Sequence, residues 1–267
     1  MADDYPEHHL GQVDTVLYDA FRQLAQREEV EFDMACLVGQ VIDADFSRAQ
    51  ADAEIDRLID RVEPSGSYDL SFIQDVFRRG GFNQQSPPIA DMSHSNLQWV
   101  LAQRQGIPIS LAVILICIAR RLRVPAYGIN FPGHFLVSLA GEVVDPISCD
   151  VLAANRKQVV LSERSLGPAS ATMIGLRMLN NLKGLSYAAG QWLEALRLLA
   201  YQMALASDAE IASTVHYERA EVWLKLGVTE MAREAYLACA ECDADNKLTA
   251  QAKKRAAALD AAPQIMH

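Results

Sequence analysis

Basic residues are the scarce class in this chain: 24 lysines and arginines stand against 34 aspartates and glutamates, for a formal net charge of −10. Binding a nucleic-acid backbone requires a net or local basic surface, so the balance argues against nucleic acid as the main partner. Arg120, Arg121 and Arg123 lie close together, and the expectation is that they complement the C-terminal end of a helix. Long apolar runs are lacking too. The longest, Ile107–Ala119, covers 13 residues and is interrupted by Ser110, which suits a core helix and falls short of the roughly 20 residues of a membrane span. Met1–Gln12 is acidic and polar, without the basic-then-apolar order of a secretory signal. The cysteines are few, odd in number and scattered: Cys36, Cys117, Cys149, Cys239 and Cys242. With no export signal, reduced thiols and a cytoplasmic location are expected. Cys239 and Cys242 have C-x-x-C spacing, but no second cysteine or histidine pair follows, and zinc needs four ligands. Neither a metal nor a cofactor is expected.

What is present is an ordinary globular composition, 51% hydrophobic and 22% charged over 267 residues, enough for one large or two modest domains. Val13, Val16, Leu17, Ala20, Phe21 and Leu24 recur at helical spacing, which predicts an amphipathic helix over Val13–Arg27. The same pattern predicts helices over Phe32–Ile42, from Ser47 to about Val62, and over Tyr68–Arg79. The polar, proline-bearing stretch Phe82–Ser93 reads as a surface loop. Ser95 is the expected cap of a short helix ending at Gly106.

Gly106-Ile107-Pro108 opens the most apolar helix, running to about Leu122, and Pro108 suits its first turn because no N–H is needed there. Apolar residues occupy nearly every side of it, so it should be buried centrally. Ala126–Phe131, His134–Leu139 and Glu142–Asp145 then read as short strands. A helix followed by antiparallel strands indicates an α+β, mostly helical fold with a small antiparallel sheet.

From Thr172 the chain is helical again. Gly190-Gln191-Trp192-Leu193-Glu194-Ala195 matches Gly227-Val228-Thr229-Glu230-Met231-Ala232, 37 residues later. A small residue between two helices, with an alanine five positions on, is the logic of a tetratricopeptide-type hairpin, whose period is about 34 residues. A generic helical bundle is the alternative. The expected organisation is residues 1–169, a helical N-terminal region with the α+β domain, followed by residues 170–267, tetratricopeptide-like repeats.

Gly106-Ile107-Pro108-Ile109-Ser110-Leu111-Ala112, Ile129-Asn130-Phe131-Pro132-Gly133-His134-Phe135-Leu136-Val137 and Val144-Asp145-Pro146 together resemble the transglutaminase-like superfamily, whose core is papain-like. The resemblance is greatest to its SirB-type invasion-regulator branch, in which such a domain precedes tetratricopeptide-like helices. Asn180-Asn181-Leu182-Lys183 resembles that branch too, and the likeness covers roughly residues 30 to 245. The resemblance implies a cysteine at the start of the buried helix, a histidine opening the next strand and an aspartate on a third. The helix N-terminus would favour the thiolate, the histidine activate it and the aspartate orient the histidine. His134 and Asp145 match the last two by strand context. The cysteine's place, two residues after a glycine and four before an alanine, is taken by Pro108, which cannot attack a substrate.

Ser110 is the substitute at hand, although two residues along a helix is a rotation of about 200°, away from Pro108. Cys149 is a second candidate by proximity to Asp145, and Cys117, deep in the helix, reads as a packing residue. The candidate site is therefore Ser110, His134 and Asp145 as a remnant triad, with His94, Asn96, Pro108 and Asn130 as candidate cleft residues. Two functions remain open. One is a non-catalytic pseudoenzyme whose repeats bind a protein or peptide partner, with no nucleic acid or membrane involved. The other is an amidase, peptidase or acyl transferase with Ser110 or Cys149 serving His134 and Asp145.

Overall fold

A helix carrying ten buried side-chain positions out of fourteen organises one part of the molecule. The computed structural model describes residues 13–63, 66–82, 90–131, 133–152, 167–242 and 247–260. Met1–Gln12, most of the loop expected around Gln84–Pro88, and Pro132 lie outside the described residues. By its contacts the chain divides into two units, one of residues 26–178 and one joining the residues up to Ala25 to those from Leu179 onward.

The first unit contains α2 (Glu31–Ile42), α3 (Arg48–Asp60), α4 (Leu70–Arg79), α5 (Leu97–Gln103), α6 (Pro108–Arg121) and the strands β1 (Ala126–Ile129), β2 (Leu136–Leu139) and β3 (Glu142–Val144). Local chemistry sets the helix starts. Ser47 Oγ accepts the Gln50 N–H at 3.3 Å and Asp69 Oδ1 accepts the Phe72 N–H at 3.0 Å, each satisfying a donor that has no intrahelical partner. Ser95 does not cap α5 as expected. It ends a 3₁₀ turn, Met92–Ser95, and Asn96 is the cap, its Oδ1 accepting from Gln98 N at 3.0 Å and Trp99 N at 3.3 Å. Phe82, expected in a surface loop, is fully buried and stacks on Phe77 at 4.5 Å.

Pro108 is the first residue of α6, and Ile109 to Ile116 are all buried. A helix apolar on every side is stable only inside a core, and packing overrides the modest helix propensity of Val113, Ile114, Ile116 and Ile118. The arginines at its end do more than complement the dipole. Arg120 grips both carboxylate oxygens of Glu31 on α2, and Arg121 reaches Asp52 and Asp56 on α3, so α6 is tied to its neighbours by paired charges.

The strands form an antiparallel sheet in the order β1-β2-β3, with Ile129 opposite Leu136 and Val137 opposite Val144. β1 and β2 pack on α6. This topology brings the end of β1, the start of β2 and the end of β3 to one end of the sheet. The first turns of α7 (Ala171–Ala188) also belong to this unit.

The second unit is entirely helical among its described residues: α1 (Thr15–Leu24), the later part of α7, α8 (Trp192–Ala204), α9 (Ala209–Lys225), α10 (Thr229–Glu241) and α11 (Lys247–Asp260). Gly190 and Gly227 sit between α7 and α8 and between α9 and α10, both in the left-handed region with φ of 66° and 75°, a conformation that glycine adopts without steric cost. Ala195 and Ala232, five residues after each, are fully buried in one core with Trp223 and Tyr236. α1 joins this unit through the Phe21 and Tyr201 rings, 5.4 Å apart, and through the Asp14 N–H, which donates to Tyr201 Oη at 3.1 Å. Lys183 is buried and paired, donating to Gln202 Oε1 at 2.8 Å and to the Glu218 carboxylate, as a buried ammonium requires.

Candidate functional site

At the shared end of the sheet, β1 stops at Ile129 and the chain turns back into β2. Within that turn the His134 N–H donates to the Phe131 carbonyl at 3.0 Å. β3 leads directly into Asp145, and the side chains of His134 and Asp145 meet, Nε2 to Oδ2, at 3.2 Å. His134 is 35% exposed and Asp145 25%, so the pair lies at the rim of the core.

Asp145 is fixed from several directions. Its Oδ1 accepts the Ile147 N–H at 2.8 Å, which leaves Oδ2 for the histidine. Its backbone N–H donates to the Asp150 carbonyl at 3.0 Å, and its own carbonyl accepts the Cys149 N–H at 2.8 Å. The turn so closed is held from α4. Gln74 Nε2 and Arg78 Nη2 donate to the Cys149 carbonyl at 2.7 Å and 3.2 Å, and Arg78 pairs with Asp150 at 2.7 Å. Cys149 itself takes a left-handed φ of 57°, a conformation costly for a non-glycine residue and retained where its surroundings fix it. Burial works to raise the Asp145 carboxyl, but the hydrogen bonds from His134 and Ile147 outweigh it and hold the group below its ordinary value of 3.8.

With Nε2 committed to Asp145, Nδ1 is the imidazole nitrogen left for another group. A histidine held by a carboxylate resembles the base and orienting carboxylate of an acyl-transfer triad, with the two ring nitrogens exchanged relative to the Ser-His-Asp case. The nucleophile candidates stand differently. Ser110 is 0% exposed and its hydroxyl donates to the His94 carbonyl at 2.8 Å. Burial pushes the Cys149 thiol up to about 12 and the Cys117 thiol up to about 11, away from the thiolate that reactivity needs. Pro108 occupies the first position of α6. Cys239, at the end of α10, is fully buried, and the Cys242 thiol donates to the Ala238 carbonyl at 3.4 Å.

The remaining candidates are distributed around this geometry. His94 is 6% exposed, its ring edge-on to Trp99 at 4.9 Å and its Nδ1 accepting the Asp91 N–H at 3.1 Å. Its carbonyl takes the Ser110 hydroxyl and its neighbour Asn96 caps α5, so both hold up the start of α6. Asn130, one residue past β1, accepts a hydrogen bond from Arg177 Nη1 at 3.0 Å. Sequence reasoning missed Gln74, Arg78 and Arg177. Their contacts join residues 47 to 75 positions apart, for which no local pattern exists.

A family model described as "Transglutaminase-like superfamily" matches residues 49–180, which include His134 and Asp145. A UPF0162 protein of Xylella fastidiosa is 43% identical over 77 residues, 27% of each chain, so the alignment spans about a quarter of that relative. A UPF0162 protein of Pseudomonas aeruginosa is 31% identical over 192 residues, covering 65% of this chain and 71% of the relative. Human F-box only protein 21 shares 53% identity over 38 residues, 14% of this chain and 6% of that protein. No solved structure matches the chain. With most of the Pseudomonas protein aligned, and with the superfamily match lying over the sheet and its histidine–aspartate pair, the chain belongs to the UPF0162 family and carries a transglutaminase-like domain.

Proposed function

We propose that this protein is a non-catalytic transglutaminase-like module, a pseudoenzyme of the SirB-type branch that acts in the cytoplasm through protein interaction or regulation. In this reading residues 170–267 are tetratricopeptide-like repeats that take a protein or peptide partner, and the sheet end with His134 and Asp145 is a cleft kept without its chemistry. One observation carries it: the Ser110 hydroxyl, the substitute nucleophile nearest to hand, is enclosed and donates its proton to a backbone carbonyl. Pro108 in the place of the superfamily cysteine supports the same reading, as do the raised thiols of Cys149 and Cys117. Sequence similarity alone does not set the function, because one fold hosts many activities.

A second reading, a hydrolase or acyl transferase of the amidase or peptidase class, is favoured by the orientation of His134 on Asp145 with Nδ1 uncommitted among the described residues. Covalent labelling separates the two. The wild type treated with serine- and cysteine-directed electrophiles should show no labelling that depends on His134. Labelling of Ser110 or Cys149 that disappears in His134→Ala, while the fold persists, would establish the enzyme. In Pro108→Cys the new thiol, at a helix start, should react unusually fast near neutral pH. An inert thiol there would mean that position 108 does not correspond to the nucleophile.

A further inference from the structure

In the helical unit a buried lysine sets the orientation of two amides, and with them a donor at the surface. Lys183 is 6% exposed and donates to the Gln202 side-chain oxygen at 2.8 Å and to the Glu218 carboxylate. An ammonium has donors only, so Gln202 has to turn Oε1 toward it and Nε2 away. Gln202 is itself buried, and its Nε2 donates to Asn180 Oδ1 at 2.8 Å. The Asn180 oxygen is thereby committed to the relay, and its NH2 group, with two donors, lies on the side away from it. Asn180 is exposed on α7, so these donors stand at the surface in one fixed orientation.

Gly184 follows Asn180 by one helical turn, on the same face, and is exposed too. Glycine inside a helix is less stable than alanine. Packing does not account for it, because a Cβ added there would meet no other side chain or segment within 4 Å. The backbone does not require it either, since the position lies within regular helix. What the missing side chain provides is close access to the backbone of α7.

We propose that Asn180 and Gly184 form a subsite for an extended polypeptide segment. The main chain of that segment lies across Gly184, and one of its peptide carbonyls accepts from Asn180 Nδ2. The inference rests on the reading of residues 170–267 as a module that takes a peptide partner, and it specifies the face of α7 that does so. The charges favour a neutral acceptor. The Lys183 charge is already matched by Glu218, whose side chain is 34% exposed, so an anion would meet a carboxylate of the same relay and a cation already paired. A peptide carbonyl carries no net charge and is a strong acceptor.

The test uses the full chain isotope-labelled at asparagine and glycine. It follows the Asn180 side-chain and Gly184 main-chain resonances, assigned with Asn180→Asp and Gly184→Ala. The probe is a pool of random hexapeptides, acetylated and amidated at their ends, with sodium acetate as the anionic control. The peptides should shift both signals saturably and acetate should not. Asn180→Asp keeps the oxygen that Gln202 needs and removes the two donors. It should leave the urea midpoint unchanged while weakening peptide binding about fivefold or more, read at Gly184. Gly184→Ala should raise the urea midpoint through better helix propensity and yet weaken binding, read at Asn180. A merely structural role would not move stability and binding in opposite directions. Gly184→Ala decides the matter if Asn180→Asp fails to fold. Peptide-induced shifts at other labelled residues between 179 and 260, unaltered by either substitution, would overturn this subsite and leave the peptide-binding module standing. No saturable response up to about 10 mM total peptide would overturn both. A response to acetate equal to that with peptide would overturn the assignment of a neutral carbonyl.

Discussion

Replacing Ser110 with alanine removes one oxygen from a position with no solvent exposure. In the native protein that oxygen donates its proton to the His94 carbonyl at 2.8 Å, and the carbonyl's other donor is the Ile107 N–H at 3.5 Å. A bond that long is at the weak limit, so the variant leaves a buried acceptor almost unpaired. Under-satisfying a buried carbonyl costs about 1–3 kcal/mol, and alanine's better helix propensity returns about 0.5 kcal/mol. The expected net loss is about 1–2 kcal/mol. Urea unfolding measures it as a lower midpoint with an unchanged slope, since the surface exposed on unfolding stays the same. The same sample should show the wild-type pattern of electrophile labelling. A loss under about 0.3 kcal/mol, within the range of neutral surface substitutions, would refute the hydrogen bond as the reason for the serine. So would the disappearance of a covalent adduct present in the wild type.

Two further outcomes follow from the packing and the charges. Leu115 is fully buried in α6, so Leu115→Ala should cost about 2–5 kcal/mol in the same assay, and a loss below about 0.5 kcal/mol would show that the core lies elsewhere. The folded state holds the Asp145 carboxyl below its ordinary value of 3.8, so the stability it contributes is present above that value and is lost as pH falls through the lower, folded one. The stability gap between wild type and Asp145→Asn should therefore be constant near neutral pH and close in acid. A gap that widened as pH fell would reverse the sign of the argument.

Much of the architecture was legible because local chemistry and periodicity agreed. The helix expected from Ser47 forms as α3, with Ile55 and Leu58 buried, and the run after Pro108 is the buried helix. Where the reading slipped, a nearby group competed. Ser95 and Asn96 are adjacent, and both residue types cap helices. The 3₁₀ turn consumes Ser95 and passes the cap to Asn96. Arg120 and Arg121 were read as helix-end charges because their carboxylate partners lie 65 to 89 residues away, beyond any local pattern. β1 was expected to reach Phe131 but ends at Ile129, just before the Asn130 side chain turns to Arg177.

The site divides along the same line. His134 and Asp145 are 11 residues apart, just before β2 and just after β3, so the hairpin places them side by side, and sequence spacing carries that geometry. Ser110 is different, because its environment depends on how the 3₁₀ turn before α5 folds back over the start of α6, and nothing in the helix pattern reports it. The His94 carbonyl that takes the hydroxyl belongs to a turn closed by the His94 side chain, which folds back to accept the Asp91 N–H. A serine two residues into a buried helix has an unfilled donor, and the nearest acceptor decides whether it serves structure or chemistry. Here the acceptor is a main-chain carbonyl fixed by its own turn, so freeing Ser110 for His134 requires opening the segment that caps α5 and supports α6. In the proposed non-catalytic reading, that coupling makes the absence of a nucleophile a property of the whole helix start rather than of Pro108 alone. Placing a cysteine at position 108 is accordingly a smaller structural change than recruiting Ser110.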